Sequence, residues 1–262
     1  MERCGARWTG FRAMDMSTPK IAIVAALRRE VWPLVKHWPV SRKQSGGHEF
    51  AFYEKGQTVV VCGGIGGGPA RRATEAVVQL YRPDMVISAG FAGALQADLP
   101  VGRVLTPRIV VDTQDGSRAS AEAGEGVLVS FDSIADVPQK AKLAEAYAAQ
   151  AVDMEAAAVA RAAEAHGLRF MACKVISDAS DFSLPPTARF VRHDGHFQSA
   201  RFAFYAAMRP WLWRSILRLA HDTAVASSNL CRRLEEIGEI TAPGIRTDAS
   251  QPVFQASAPV KS

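Results

Sequence analysis

The chain has 262 residues, 48% of them apolar and 22% charged, which excludes wholesale disorder and leaves room for one large domain or two small ones. Its formal net charge is +5, from 31 Lys and Arg against 26 Asp and Glu. Such a balance suits an acidic ligand, a membrane surface or nucleic acid, and is most simply a diffuse positive surface with no nucleic-acid partner.

Residues 21–26 (IAIVAA) form a β-branched run that predicts a strand, and residues 28–36 predict a helix interrupted by Pro33. A turn signal at 45–47 and strands over 50–53 and 58–62 predict a hairpin region. A glycine loop at 63–70 (GGIGGGPA) opens a helix over 70–81, followed by a buried strand at 85–89 and a second glycine turn at 90–95 (GFAGAL). Residues 101–111 are strand-rich, 114–125 predict a flexible loop, 126–130 a strand and 140–149 a short helix. A longer helix is expected over 151–166, capped by Gly167, and then a buried strand over 170–176.

Buried strands joined by helices point to an α/β class, a three-layer α/β/α sandwich around a mixed, largely parallel sheet, in which ligands sit at the carboxyl ends of strands. Residues 199–236 read as helical, with Pro210 marking a kink, and residues after 239 are rich in Pro, Ser and Ala. The expected organisation is a disordered extension over 1–19, a main domain over 20–198, a helical segment over 199–238 and a disordered tail over 239–262. No stretch reaches the roughly 18–20 uninterrupted apolar residues of a membrane span, and no hydrophobic leader opens the chain. A cytoplasmic location is expected. Cys4, Cys62, Cys173 and Cys231 stand singly, which favours a reducing compartment and no zinc or other metal site.

Acids occur where apolar packing is expected: Asp153 and Glu155 in VDMEAAAVA (152–160), Asp178 and Asp181 in VISDASD (175–181). Burying a carboxylate costs several kcal/mol unless it finds a partner, so some of these acids are expected to serve a site that binds a sugar and protonates a base. The loop at 63–68 fails the G-x-G-x-x-G dinucleotide spacing at Pro69. It leaves backbone N–H groups at a helix start, suited to an anion or a sugar hydroxyl.

Five segments together, IAIVAALRRE (21–30), GGIGGG (63–68), SAGFAGAL (88–95), VDMEAAAVA and VISDASD, resemble the nucleoside phosphorylase and nucleosidase superfamily, specifically its methylthioadenosine/S-adenosylhomocysteine nucleosidase branch. SLPPTA (183–188), Asp194-Gly195 and the helix continuing through LRLAHD (217–222) are similar, on a shorter pattern, to the hopanoid-associated nucleosidases that act on adenosylhopane. The resemblance implies that Asp178 protonates purine N7, Glu155 grips ribose hydroxyls, and Glu30 activates water. It further places Met154 against the sugar face, and Gly66, Phe91, Ala92, Gly93, Ile134 and Ser177 are the expected pocket lining, with core packing as the alternative for Phe91 and Ile134.

Cleaving a purine N-glycosidic bond passes through an oxocarbenium-like cation, which needs an acid for the base and negative charge by the sugar. Each acid also has a plainer reading, Glu30 as an exposed helix residue and Asp178 as a helix cap, while Asp153 and Asp181 are expected to serve structural hydrogen bonds. The sequence departs from the resembled family in its short 112–126 segment, in Phe91 where a serine is frequent, and in lacking an evident base-stacking aromatic around 131–135. The implied activity is release of adenine from a 5′-substituted adenosine without a cofactor, by water or with phosphate as co-substrate. The alternatives are methylthioadenosine/S-adenosylhomocysteine nucleosidase, purine nucleoside phosphorylase, and an inactive nucleoside-binding module. A homodimer is compatible with the family. Trp211, Trp213, Phe202 and Phe204 beside Arg201, Arg209, Arg214 and Arg218 resemble an interfacial helix that would touch the inner face of a membrane, the alternative being a helix that packs on the sheet as core.

Overall fold

The structure is a computed structural model in which residues 20–121, 123–182 and 213–241 are described. In chain order the elements are β1 (Ile21–Ala25), α1 (Arg28–Val35), β2 (Val40–Ser45), β3 (His48–Lys55), β4 (Thr58–Cys62), α2 (Gly67–Tyr81), β5 (Met85–Ala94) and β6 (Val104–Leu105). There follow β7 (Ile109–Asp112), β8 (Arg118–Ser120), β9 (Val127–Ser130), α3 (Val137–Tyr147), β10 (Ala151–Asp153), α4 (Ala156–Ala165), β11 (Arg169–Asp178) and α5 (Trp213–Thr241).

All five residues of β1 are buried; Ala22 and Val24 face one core cluster while Ile21, Ile23 and Ala25 face another. A strand covered on both faces belongs in the middle of a parallel sheet, and its β-branched side chains suit that place. β4 and β5 flank β1 in parallel, and β11 runs parallel to β5 on its far side. The single mixed sheet continues β2-β3-β4-β1-β5-β10-β9-β7-β8, with β6 beside β11. Antiparallel pairings lie mainly at the margins, in β2-β3-β4 and β7-β8. α2 and α4 pack together on one face, α1 and α5 on the other, so the expected three layers are present.

The two helical faces use different side chains. Ala70, Ala73, Ala76, Ala156, Ala157, Ala160 and Ala163 bring α2 and α4 close to the sheet, whereas α5 inserts Ala226, Leu230, Leu234 and Ile237 at helical spacing. Each buried leucine there contributes about 1.5–3 kcal/mol. This half of α5 is therefore core. Arg218 and Leu217 of the same helix are exposed, while Phe202, Phe204, Trp211, Arg201, Arg209, Pro210, 183–188 and 194–195 lie outside the described residues. No helix among the described residues is long and apolar enough to cross a membrane.

Several local expectations are corrected. α1 continues through Pro33 to Val35, although that proline cannot donate to the Arg29 carbonyl. The Ser227 hydroxyl of α5 supplies a donor instead, 3.0 Å from the carbonyl oxygens of both Arg29 and Glu30. Residues 90–94 continue β5 rather than turning, residues 118–120 form β8 within the expected loop, and 40–45 add a strand. Residues 151–153 are strand, pairing with both β5 and β9, so the helix expected from 151 starts at Ala156.

Candidate active site

Glu30 is placed by the start of α1. Its carboxylate reaches back to accept the N–H groups of Ala26 (3.1 Å) and Leu27 (2.9 Å), satisfying donors that the first helical turn leaves open. The side chain is buried beside β5, where the Phe91 N–H lies 3.5 Å from Oε1. Gly90 makes room: a Cβ there would sit 3.3 Å from a Glu30 oxygen, on backbone with φ +152. Glu30 thus caps its helix and also faces inward.

The β10–α4 junction places Glu155. Asp153 accepts the Ala156 N–H at 2.9 Å and the Ser130 hydroxyl at 2.6 Å, and Ser130 Oγ accepts the Ala157 N–H at 2.9 Å. With the α4 donors satisfied by Asp153 and Ser130, the Glu155 carboxylate turns aside and accepts the Gly66 N–H at 2.7 Å. Lys174 of β11, 1% exposed, lies 2.8 Å from Asp153 and supplies the positive charge that this buried acidic group requires.

Asp178 ends β11, where a β-bulge between Ile176 and Asp178 shifts the register against β5 and re-aims the chain. The Ser177 hydroxyl donates to Asp178 Oδ1 at 2.8 Å, and the Lys140 ammonium donates to Oδ2 at 2.5 Å. Gly93 stands opposite in the ladder; a Cβ there would lie 3.0 Å from Asp178 Oδ2 and 3.3 Å from Lys140 Cε. The glycines of GFAG serve close approach of side chains rather than a turn.

These groups line one cavity of about 190 Å³ at the carboxyl ends of β1 and β11 and beside β5 and β10. Glu30, Phe91, Ala92, Gly93, Ile134, Met154, Glu155, Ser177 and Asp178 all contribute to its wall. Gly66 acts on it through its N–H to Glu155. Asp153 is structural in its hydrogen bonds, as expected, and also borders the cavity; Asp181 is exposed. Sequence reasoning missed Lys140, Lys174, and the α5 residues Leu219 and Thr223, which close one side. Lys174 carried the same signal as the acids, a charge within an apolar run (MACKVISD). Nothing in QKAKLAEA marks Lys140 as buried.

The electrostatics suit proton chemistry. Burial raises the carboxyl of Glu30, against the Leu27 N–H and the charges of Lys174 and Arg29, which lower it. Burial first, and then the charge of Asp153, push Glu155 up to about 7, with Lys174 opposing. Burial works against the Lys174 ammonium, yet Asp153, Glu155 and Glu30 outweigh it and raise its pKa. Cys62 and Cys173 are pushed by burial up to about 12, which leaves them as inert thiols. Among the described residues no cluster of three or more His, Cys, Asp or Glu is arranged to hold a metal ion.

A model of the phosphorylase superfamily matches residues 20–128 and 113–200. The 5′-methylthioadenosine/S-adenosylhomocysteine nucleosidase of Staphylococcus aureus (strain JH9) is 27% identical over 199 residues, covering 62% of this chain and 87% of that protein. In fold the chain is similar to the 5′-methylthioadenosine nucleosidase of Arabidopsis thaliana, with a TM-score of 0.66 and 20% identity over 87% of this chain and 98% of that one. It is also similar to the futalosine hydrolase of Helicobacter pylori strain 26695, with a TM-score of 0.60 and 20% identity over 84% of this chain and 98% of that one.

Proposed function

The chain belongs to the phosphorylase superfamily, and from that premise we propose that it is a purine nucleosidase that cleaves the N-glycosidic bond of a 5′-substituted adenosine and releases adenine. The observation that carries this reading is the convergence of Glu30, Glu155 and Asp178, from three separate segments, on one cavity. Asp178 protonates purine N7, so the C1′–N9 bond breaks with its electron pair drawn into the base. Glu155 accepts the ribose hydroxyls and, with Met154 against the sugar face, supports the oxocarbenium-like cation. Glu30, whose pKa burial raises, takes a proton from the water that attacks C1′. A carboxylate base inside the cavity favours water over phosphate as the nucleophile.

A second observation favours a large apolar 5′ substituent of the adenosylhopane kind. The cavity shares Arg29, Phe91 and Thr223 with a groove of about 550 Å³ between α1 and α5, whose wall also includes Arg28, Trp32, Pro33 and Ala224. A lipid-borne substrate would bring the chain to a membrane surface, and binding to anionic vesicles that weakens with salt is expected. Adenine release from 5′-methylthioadenosine, S-adenosylhomocysteine and adenosylhopane, with and without phosphate, tests both readings. The nucleosidase reading expects phosphate-independent release, and the apolar reading expects adenosylhopane to exceed methylthioadenosine in kcat/KM by about tenfold or more. Equal or inverted preference sinks the second reading; release only with phosphate sinks the hydrolytic one.

A further inference from the structure

Lys140 is left without a task by the reaction as written. It is 2% exposed, and its ammonium donates to Asp178 Oδ2 at 2.5 Å, to the Ala179 carbonyl at 2.7 Å and to the Phe182 carbonyl at 3.4 Å. Its place is fixed by a capping box: Asp136 accepts the Gln139 N–H at 2.8 Å, and Gln139 Oε1 accepts the Asp136 N–H at 2.9 Å, so Lys140 follows in the first turn of α3. That end of a helix disfavours a cation, and a buried ion pair is no better for stability than a well-packed apolar pair. Stability does not account for a lysine here. All three acceptors of its ammonium belong to the end of β11 or the turn after it, and both Lys140 and Asp178 border the cavity. The proton between the two groups is the one that the Lys140 ammonium donates to Asp178 Oδ2.

We propose that Lys140 and Asp178 act as a dyad, in which Lys140 is a positioning residue that hands Asp178 the proton that Asp178 delivers to purine N7. The inference rests on the nucleosidase reading. As the C1′–N9 bond breaks, a proton moves from Lys140 Nζ to Asp178 Oδ2 and one moves from the Asp178 carboxyl to N7, so adenine leaves neutral and Lys140 is left as the amine. Water forms the new O–C1′ bond and its proton goes to Glu30; return of that proton to Lys140 through solvent resets the site. Among the described residues, the other charged side chains around the cavity are Glu30 and Arg29 from α1 and Asp153 and Glu155 at the β10–α4 junction, with Lys174 of β11 bound to Asp153. From α5 the wall receives Leu219 and Thr223, neither of which carries a charge.

The test is kcat for Lys140→Met at pH 8, measured on whichever nucleoside the wild type cleaves and on the matching 4-nitrophenyl riboside, whose leaving group departs without being protonated. On the nucleoside kcat is expected to fall on the order of 100-fold. On the nitrophenyl riboside the loss should nearly vanish. An equal loss on both substrates, or no loss on the nucleoside, overturns the dyad. Since Lys140→Met strands a buried carboxylate, the double variant Lys140→Met/Asp178→Asn is measured beside Asp178→Asn. The double is expected to be no slower than the single, and a further multiplicative loss overturns the proposal. Failure of the wild type to release adenine from any nucleoside overturns the nucleosidase reading and the dyad with it, whereas an active wild type with an unaffected Lys140→Met overturns the dyad alone.

Discussion

Two lysine–aspartate pairs are buried near the same end of the sheet, and they differ in what surrounds them. Lys174 and Asp153, 2.8 Å apart with side chains 1% and 0% exposed, are held by the Ser130 hydroxyl and the first N–H of α4, and of the two only Asp153 borders the cavity. Lys140 and Asp178, 2.5 Å apart, both keep an edge on the cavity. The same chemistry therefore serves separate ends. The Lys174–Asp153 pair fixes the β10–α4 junction and sets the field in which Glu30 and Glu155 titrate, since Lys174 lowers both. The Lys140–Asp178 pair is where a proton meets a ligand.

Substitution in each pair breaks or sharpens this contrast. Asp178→Asn is expected to lower kcat by about 10²–10⁴-fold, because the amide keeps the shape while losing the transferable proton, and to lower the melting temperature as well, because the buried Lys140 ammonium is left without its carboxylate. Steady-state kinetics and a thermal melt measured side by side check both halves. Lys174→Met is expected to lose about 3–5 kcal/mol in urea unfolding, because it strands Asp153 among buried groups. If Lys174→Met kept its stability and Asp178→Asn kept its activity, the two pairs would have been given the wrong roles.

Smaller effects sharpen the same picture. The folded state holds the Glu155 proton more tightly than the unfolded chain, since its pKa rises from the ordinary 4.5 to about 7. That group's contribution to stability therefore falls as pH rises through this window and levels off above it. Glu155→Gln, which cannot ionise, should raise Tm at pH 8 relative to wild type by on the order of 2–4 °C, the shift that 1 kcal/mol produces in a domain of this size, and change it little at pH 5. An equal change at both pH values would contradict the burial of that charge. Ser227→Ala removes the hydroxyl that serves the carbonyls of Arg29 and Glu30, and about 1 kcal/mol of stability should go with it in a denaturant titration.

The acids were legible because a charge inside an apolar run is conspicuous, and Asp153, Glu155 and Asp178 all carry that signal. Lys174 carried it too, in MACKVISD, and its partner follows from the need to neutralise Asp153. Lys140 was not legible, because its burial depends on where α3 docks and not on its neighbours in sequence. β10 was lost within an alanine-rich run for a related reason: three residues become strand through pairing with Gly93–Ala94 and 128–130, and no local preference encodes that. The glycines of GFAG suggested a turn by composition, whereas Gly90 and Gly93 make space for Glu30 and for the Lys140–Asp178 pair within a continuous strand. α5 lies within the helical reading of 199–236, but its core residues Ala226, Leu230, Leu234 and Ile237, and its share in the cavity through Leu219 and Thr223, became clear only from the packing.

The most direct test of the central claim is incubation of the wild-type protein with 5′-methylthioadenosine in phosphate-free water, with adenine and the released sugar followed by chromatography and mass spectrometry. Hydrolysis predicts adenine together with a free reducing sugar in place of a sugar 1-phosphate, and strongly reduced formation of both by the Asp178→Asn variant. No adenine from the wild type, or adenine only when phosphate is supplied, would contradict it.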